Sequence, residues 1–216
     1  VFKLIMPELY DLAAQVFRLE FAVAVACSVI GVNAFDQPDV QDSKDRTKSK
    51  IASFIEKGYL EEPPLIWEKD DVRIYGAGFD QLNECKTLSD VVEKFIDLTE
   101  VGDYIAINAY LPRNDKNYHQ LQKLRKHIIN RTGNATTLGF GPRFLHSTGQ
   151  LHKGGANNGL FIQITQEDEA DLDIAGLDYS FGVLARAQAL GDLDALLNRG
   201  RRVIRIHLPA GDGFDF

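Results

Sequence analysis

At 216 residues, with 44% apolar and 25% charged content, the chain has the composition of a soluble globular protein and the length for one large domain or two small ones. A formal net charge of −7 argues against a nucleic-acid or anionic-membrane surface as partner and leaves room only for a local basic pocket. Two cysteines, Cys27 in an apolar segment and Cys85 in a polar one, make no disulfide framework, and with no targeting segment in view the chain reads as cytoplasmic.

The chain opens on Val1 rather than Met, and residues 1–6 read as a strand or strand end. Residues 8 to about 30 read as one helix, amphipathic through Leu9, Leu12, Ala13 and Val16, then apolar all round, with Gly31 as its stop. The unbroken apolar run over 21–32 is about a dozen residues, shorter than a bilayer span, so it reads as a buried helix. An element that apolar needs neighbours on nearly every side, which points to a fragment of a longer protein whose N-terminal partner is missing. A second helix starts at Pro38, whose fixed φ and absent N–H suit the first helical position, and runs to about 57 before Gly58. Asp39 and Asp42 put negative charge in its first turn. Its apolar positions Val40, Ile51, Phe54 and Ile55, with Thr47 between, keep the 3, 4 and 7 spacings of one face, and Lys44 points the same way. A lysine on such a stripe is paired, snorkelling or functional.

Glu-Glu-Pro-Pro at 61–64 breaks the pattern and marks a boundary. Residues 65–67 and 72–75 read as strands flanking a Lys-Asp-Asp turn, and Thr87 opens a helix with the stripe Val91, Val92, Phe95 and Ile96. Beyond it come a strand at 103–111, a helix at 114–130, and strands at 135–139 and 159–165. Helices at 181–190 and 193–198 and a strand at 202–208 close the chain. Alternation of this kind predicts an α/β fold with a helix-covered sheet. The organisation expected is a helical segment over 1–62, a connecting segment over 63–101 and a mixed α/β domain over 102–216, with an acidic, solvated loop at 166–178.

The stretch Asn33-Ala34-Phe35-Asp36-Gln37-Pro38-Asp39-Val40-Gln41-Asp42-Ser43-Lys44, behind an apolar helix carrying Glu20, resembles the C-terminal signature of phosphoglucose isomerases. It departs from the usual pattern at Pro38-Asp39, where the family has Trp-Gly, and at Cys27, where a small residue is usual. The Pro-Asp variant is similar to the isomerase half of bacterial proteins that fuse transaldolase to phosphoglucose isomerase. The run His146-Ser147-Thr148-Gly149-Gln150-Leu151-His152-Lys153-Gly154-Gly155 is similar to those fusions as well. The signature proper covers about 8–45. The resemblance implies a doubly wound sugar-phosphate-isomerase domain, active sites at dimer interfaces, no cofactor, and interconversion of glucose 6-phosphate with fructose 6-phosphate through ring opening and an enediolate. It implies Lys44 as the catalytic lysine near the ring oxygen and Gln37 as a substrate contact. The family's catalytic base, ring-opening histidine and phosphate-binding residues precede this signature, and none can be placed here, so the chain alone is expected to be inactive.

One further cluster is drawn from the residues themselves. Gly139-Phe140-Gly141-Pro142 reads as a bend from strand into helix, where backbone N–H groups can cradle a phosphate. On a helix over 142–153, Arg143, His146, Gln150 and Lys153 share one face, which suits a sugar phosphate or is simply a solvated polar face. His146 and His152 fall on different faces without a supporting Cys or carboxylate cluster, so no metal site is expected. The residues from about 100 onward are equally compatible with a non-catalytic sugar-phosphate-binding module or with an oligomerisation cap.

Overall fold

The computed structural model describes residues 3–36 and 38–211, so Gln37 lies outside the described residues, as do Val1 and Phe2 of the strand expected at the start. Residues 38–211 form an α/β fold around a mixed six-stranded sheet, the larger of two compact units; the smaller covers 1–37.

The smaller unit is one helix and its flanks. Helix α1 (Tyr10–Ile30) ends on Gly31 at φ 76°, as the sequence predicts. Residues 3–7 have no regular structure, and Leu4, Ile5 and Met6 are exposed, so the expected strand is absent there. The expectation of a buried helix also fails: no residue of α1 is buried, because its own unit holds nothing to cover its apolar surface. At 21 residues α1 is long and apolar enough to cross a membrane, which the shorter apolar run alone does not suggest. Arg18 and Glu20 stand in its middle.

In the larger unit, α2 (Pro38–Lys57) is followed by the hairpin β1 (Leu65–Lys69) and β2 (Val72–Gly76). Asp70 and Asp71 turn that hairpin with φ of 50° and 63°, the left-handed pair that a two-residue loop demands. A 3₁₀ turn (Asp80–Glu84) leads to α3 (Leu88–Ile96). Thr87 caps α3 reciprocally with Asp90: Asp90 N–H donates to Thr87 Oγ1, and Thr87 N–H to Asp90 Oδ2. Then follow β3 (Tyr104–Tyr110), α4 (Asp115–Thr132), β4 (Ala135–Phe140), a 3₁₀ turn (Arg143–His146), α5 (Gly149–Gly154), β5 (Gly159–Gln166), α6 (Phe181–Asn198) and β6 (Arg202–Leu208).

Strand order is β1-β2-β6-β5-β3-β4; β6, β5, β3 and β4 are parallel, and the hairpin joins antiparallel on β6. The two faces of the sheet differ in character. One carries Ile105, Ile107, Ile162, Ile164, Ile204 and Ile206 against α3 and α4, and forms the main core with Val91, Phe95, Leu121 and Ile128. The other packs Ala106, Phe161 and Val203 against Leu193 and Leu196 of α6, and α2 lies outside α6 as a further layer.

The segment 63–101 supplies the two strands and the helix that the sequence places in it, and the division into compact units falls at 37/38. One sequence expectation changes here. The two helices expected at 181–190 and 193–198 are one, running through Gly191. A Cβ at 191 would lie 3.0 Å from Thr47 Oγ1 and 3.1 Å from Thr47 N, so this glycine is where α2 crosses closest.

Candidate functional site

Helix α2 turns inward most of the face its apolar spacing suggests, rotated so that Lys44 and Ile55 at one edge are left outside. Asp39, Val40 and Ser43 are buried, Thr47, Ile51 and Phe54 are half-buried, and Lys44, about 100° round the helix from Ser43, is exposed. The inward face is shifted by polar contacts to α6 and α5. Arg199 donates to Asp39 (2.5 Å) and Asp42 (2.7 Å), Lys50 pairs with Asp194 (2.9 Å), and Gln150 donates to Asp39 Oδ2 (2.7 Å). Burial pushes the Asp42 carboxyl up, but the bonds from Arg199 and Arg46 outweigh it and hold it below its ordinary value. The acidic first turn therefore serves tertiary anchoring as well as the helix dipole.

The basic face expected over 142–153 is not assembled. The backbone breaks at Ser147 between the 3₁₀ turn and α5, and the four residues part company. Arg143 and His146 are exposed, and Gln150 is committed to Asp39. Lys153 is buried against Asp192 at 2.5 Å, with both side chains 1% exposed. The glycines of the bend are there for ring packing: a Cβ on Gly139 would meet Phe144 at 2.8 Å, and one on Gly141 would meet Tyr110 at 2.5 Å. His152, buried with Tyr104, Phe144 and Phe161 around it, is held down to about 4 by desolvation and by the neighbouring Lys153. Among the described residues no group of three or more His, Cys, Asp or Glu is placed to hold a metal ion.

The structure instead gathers polar groups where the α6-side face of the sheet reaches the carboxyl ends of its parallel strands. Register sets them in rows. Asn108, Gln163 and Arg205 are neighbours across β3, β5 and β6, and Tyr110, Thr165 and His207 form the next row out. The inner rows are apolar (Ala106, Phe161, Val203), so the face changes from apolar to polar along the strands. The chain runs from β3 to β4 on one side and returns to place β5 on the other, which makes the end of β3 and β5 the topological switch point where open α/β sheets bind ligands.

These groups form one chain of bonds. Arg205, fully buried, stacks over Tyr75 with its guanidinium carbon 4.4 Å from the ring centre and pairs with Glu62. Glu62 also accepts from Arg186 at 2.9 Å, and Arg186 lies 3.6 Å from Glu167. Glu167 accepts from His207 Nε2 at 2.7 Å, which leaves Nδ1 to accept from the Thr165 hydroxyl at 2.9 Å. Burial, with Arg205 and Arg186 nearby, lowers His207 despite the Glu167 bond, so the ring is neutral at pH 7. Burial and the Asp192 charge push the Tyr110 phenol well up, which keeps it a hydrogen-bond donor.

Over this row lies a cavity of about 430 Å³, walled by Phe54 and Tyr59 at the end of α2, by Arg186 and Ala189 of α6, and by Asp168 and Asp171 of the loop after β5. Asp171 is already occupied at the start of α6, accepting from the hydroxyl of the N-cap Ser180 and from Gly182 N–H. The polar row has a sequence signal: Asn108 and Tyr110, Gln163 and Thr165, Arg205 and His207 all sit two apart in the last halves of otherwise apolar strands. Counting only the apolar positions of those strands passes over it. Glu62 and Arg186, distant in sequence, carry no such signal.

No family model matches the chain, and no curated protein matches it. Among solved structures it is similar to a hypothetical protein of Thermus thermophilus, at 17% identity and a TM-score of 0.46. The match covers 59% of this chain and 36% of that one, so the chain spans about a third of that protein's length.

Proposed function

We propose that this chain is the lysine-bearing C-terminal part of an aldose–ketose isomerase of the phosphoglucose-isomerase type, from a fusion with transaldolase, acting on glucose 6-phosphate and fructose 6-phosphate. One observation carries the reading. Of the four lysines on α2, Lys48, Lys50 and Lys57 each face a carboxylate, whereas Lys44 is exposed and has no hydrogen-bond or ion-pair partner among the described residues. A lysine kept to hold the fold would be paired as its neighbours are. Lys44 is instead free to meet a substrate brought by another part of the protein. There its ammonium stabilises negative charge at the ring oxygen during opening and on the enediolate oxygens afterwards. The bare apolar surface of α1 is consistent with cover from an upstream isomerase segment, which would also bring the base and the phosphate site.

The test uses the longer protein that contains that segment. Lys44→Met should keep the parent's melting temperature, because an exposed side chain is removed, and should lose roughly 10²-fold or more in glucose-6-phosphate turnover. The 216-residue chain by itself should show no turnover, since proton transfer between C2 and C1 needs a positioned base. Full activity in Lys44→Met, or turnover by the chain alone, would overturn the proposal.

A further inference from the structure

The two edges of the sheet are built differently. At one end β1 is short and defended: Pro63 and Pro64 precede it, its register slips between Leu65 and Trp67, and Glu68 and Lys69 close it. These are the devices by which an edge strand avoids a second chain. At the other end β4 has none of them. Among the described residues it pairs with β3 alone, in unbroken register from Ala135 to Phe140, and no charged residue stands between Arg131 and Arg143.

Backbone alternation decides what this edge offers. Gly141 N–H donates to Ala109 O of β3 at 2.8 Å, so Gly139 and Thr137 turn their peptide groups to β3 as well. Thr136, Leu138 and Phe140 therefore turn N–H and C=O outward. An antiparallel second β4, related by a two-fold axis at Leu138, sets Thr136 opposite Phe140 of the second copy, and every one of these groups gains a bond. The same register sets Thr137 opposite Gly139 and Asn134 opposite Pro142, so the ladder joins no two charges.

Charge at the strand ends suits that direction. At the amino end Asn134 Nδ2 donates to Glu100 O at 3.2 Å, which holds Glu100 there, and at the carboxyl end Arg143 follows Pro142. Both residues are exposed, and neither side chain has an ion-pair partner among the described residues. Antiparallel pairing brings each Glu100 toward an Arg143 of the second copy, whereas parallel pairing would set like against like.

We infer that β4 is the contact of a symmetric homodimer, in which two copies of this chain join their sheets edge to edge into one continuous sheet.

The experiment runs amide hydrogen exchange on the full chain at high and at low protein concentration, read residue by residue by NMR, with the mass followed by sedimentation. The expected result is a dimer mass at high concentration, with exchange at the Thr136, Leu138 and Phe140 amides slowed about tenfold or more relative to the dilute protein. The Thr137 and Gly139 amides, bonded within the chain, should be slow in both. Thr137→Lys, a change at an exposed position, sets two ammonium groups about 7–8 Å apart across the axis and should abolish both the dimer and the protection. Glu100→Lys should weaken the dimer about tenfold, since the contact occurs twice, and Glu100→Lys with Arg143→Glu should restore it. Edge amides that exchange equally fast at both concentrations would overturn the inference. So would association that persists in Thr137→Lys, as it would through α1, protection that appears only with an added foreign peptide strand, or a double variant no better than Glu100→Lys.

Discussion

Replacing Lys153 by Met should be among the most damaging single changes available in this chain, although the new side chain is apolar and of similar length. In the native protein Lys153 Nζ lies 2.5 Å from Asp192 Oδ1, both side chains are 1% exposed, and Asp192 Oδ2 has no partner. Removing the ammonium leaves a carboxylate that can neither ionise cheaply nor find a donor. Breaking such a pair costs about 3–5 kcal/mol. For a domain of this size each kcal/mol moves the midpoint by about 2–4 °C, so Tm should fall by roughly 6–20 °C. The assay is urea unfolding followed by circular dichroism, with the slope unchanged and the midpoint displaced. The pH dependence supplies a second reading. Burial already raises the Asp192 pKa against the pull of Lys153, and without the lysine nothing opposes that rise. The folded variant then holds a proton that the unfolded chain, with a pKa near 3.9, has released, so its stability falls as pH rises above about 4. The deficit should be small near pH 4 and largest at neutral pH. Lys153→Met combined with Asp192→Leu should recover most of the loss, because a well-packed apolar pair replaces the ionic one. A single variant that loses less than about 1 kcal/mol, a deficit flat with pH, or a double variant no better than the single would refute the reasoning.

Two further outcomes follow from named contacts. His152 is held neutral down to about 4, so as pH falls through about 6.5 the unfolded chain takes up a proton that the folded one refuses; stability should drop by about 3 kcal/mol between pH 6.5 and 4, and His152→Leu should flatten urea midpoints over that window. Gly191→Ala should destabilise by roughly 1–3 kcal/mol, despite the gain in helix propensity of about 1 kcal/mol, because its Cβ drives α2 off α6; a stabilised variant would show that the helix contact yields freely.

The regular elements of the larger unit were legible because local signals agreed with tertiary ones. Thr87 caps where a capping residue stands, Asn114 accepts from Asn117 N–H to start α4, and Gly58 and Gly133 stop their helices with φ above 70°. The failures share a cause, which is that partners lie far away in sequence. Apolar spacing alone places Lys44 on the inward stripe of α2 because it ignores the pull of Arg199, some 160 positions later, on Asp39, which rotates the helix and leaves Lys44 exposed. The Arg143 face dissolved because Lys153 has a stronger partner in Asp192, and nothing in the local pattern of either residue announces the other. The candidate cavity was half legible: its strands alternate visibly, but Glu62 and Arg186, which tie Arg205 to Glu167, come from a loop and a helix that only the fold brings together.

The place of the β1–β2 hairpin has a consequence for synthesis. It is made early, yet among the described residues its one neighbour in the sheet beyond itself is β6, where Arg73 meets His207, 134 positions later. At about 5–20 residues per second a ribosome takes roughly 7–27 s to cover that interval. A lone two-stranded hairpin is marginal in water, so during that time β2 offers an unpaired edge carrying Ile74 and Tyr75. The sheet's centre is late as well, since β5 must be inserted between β3 and β6 before either side is complete. A nascent chain that stalls before residue 202 therefore holds its antiparallel hairpin and its parallel strands as separate pieces, and in this window their unpaired edges are open to chaperones, proteases and edge-to-edge association.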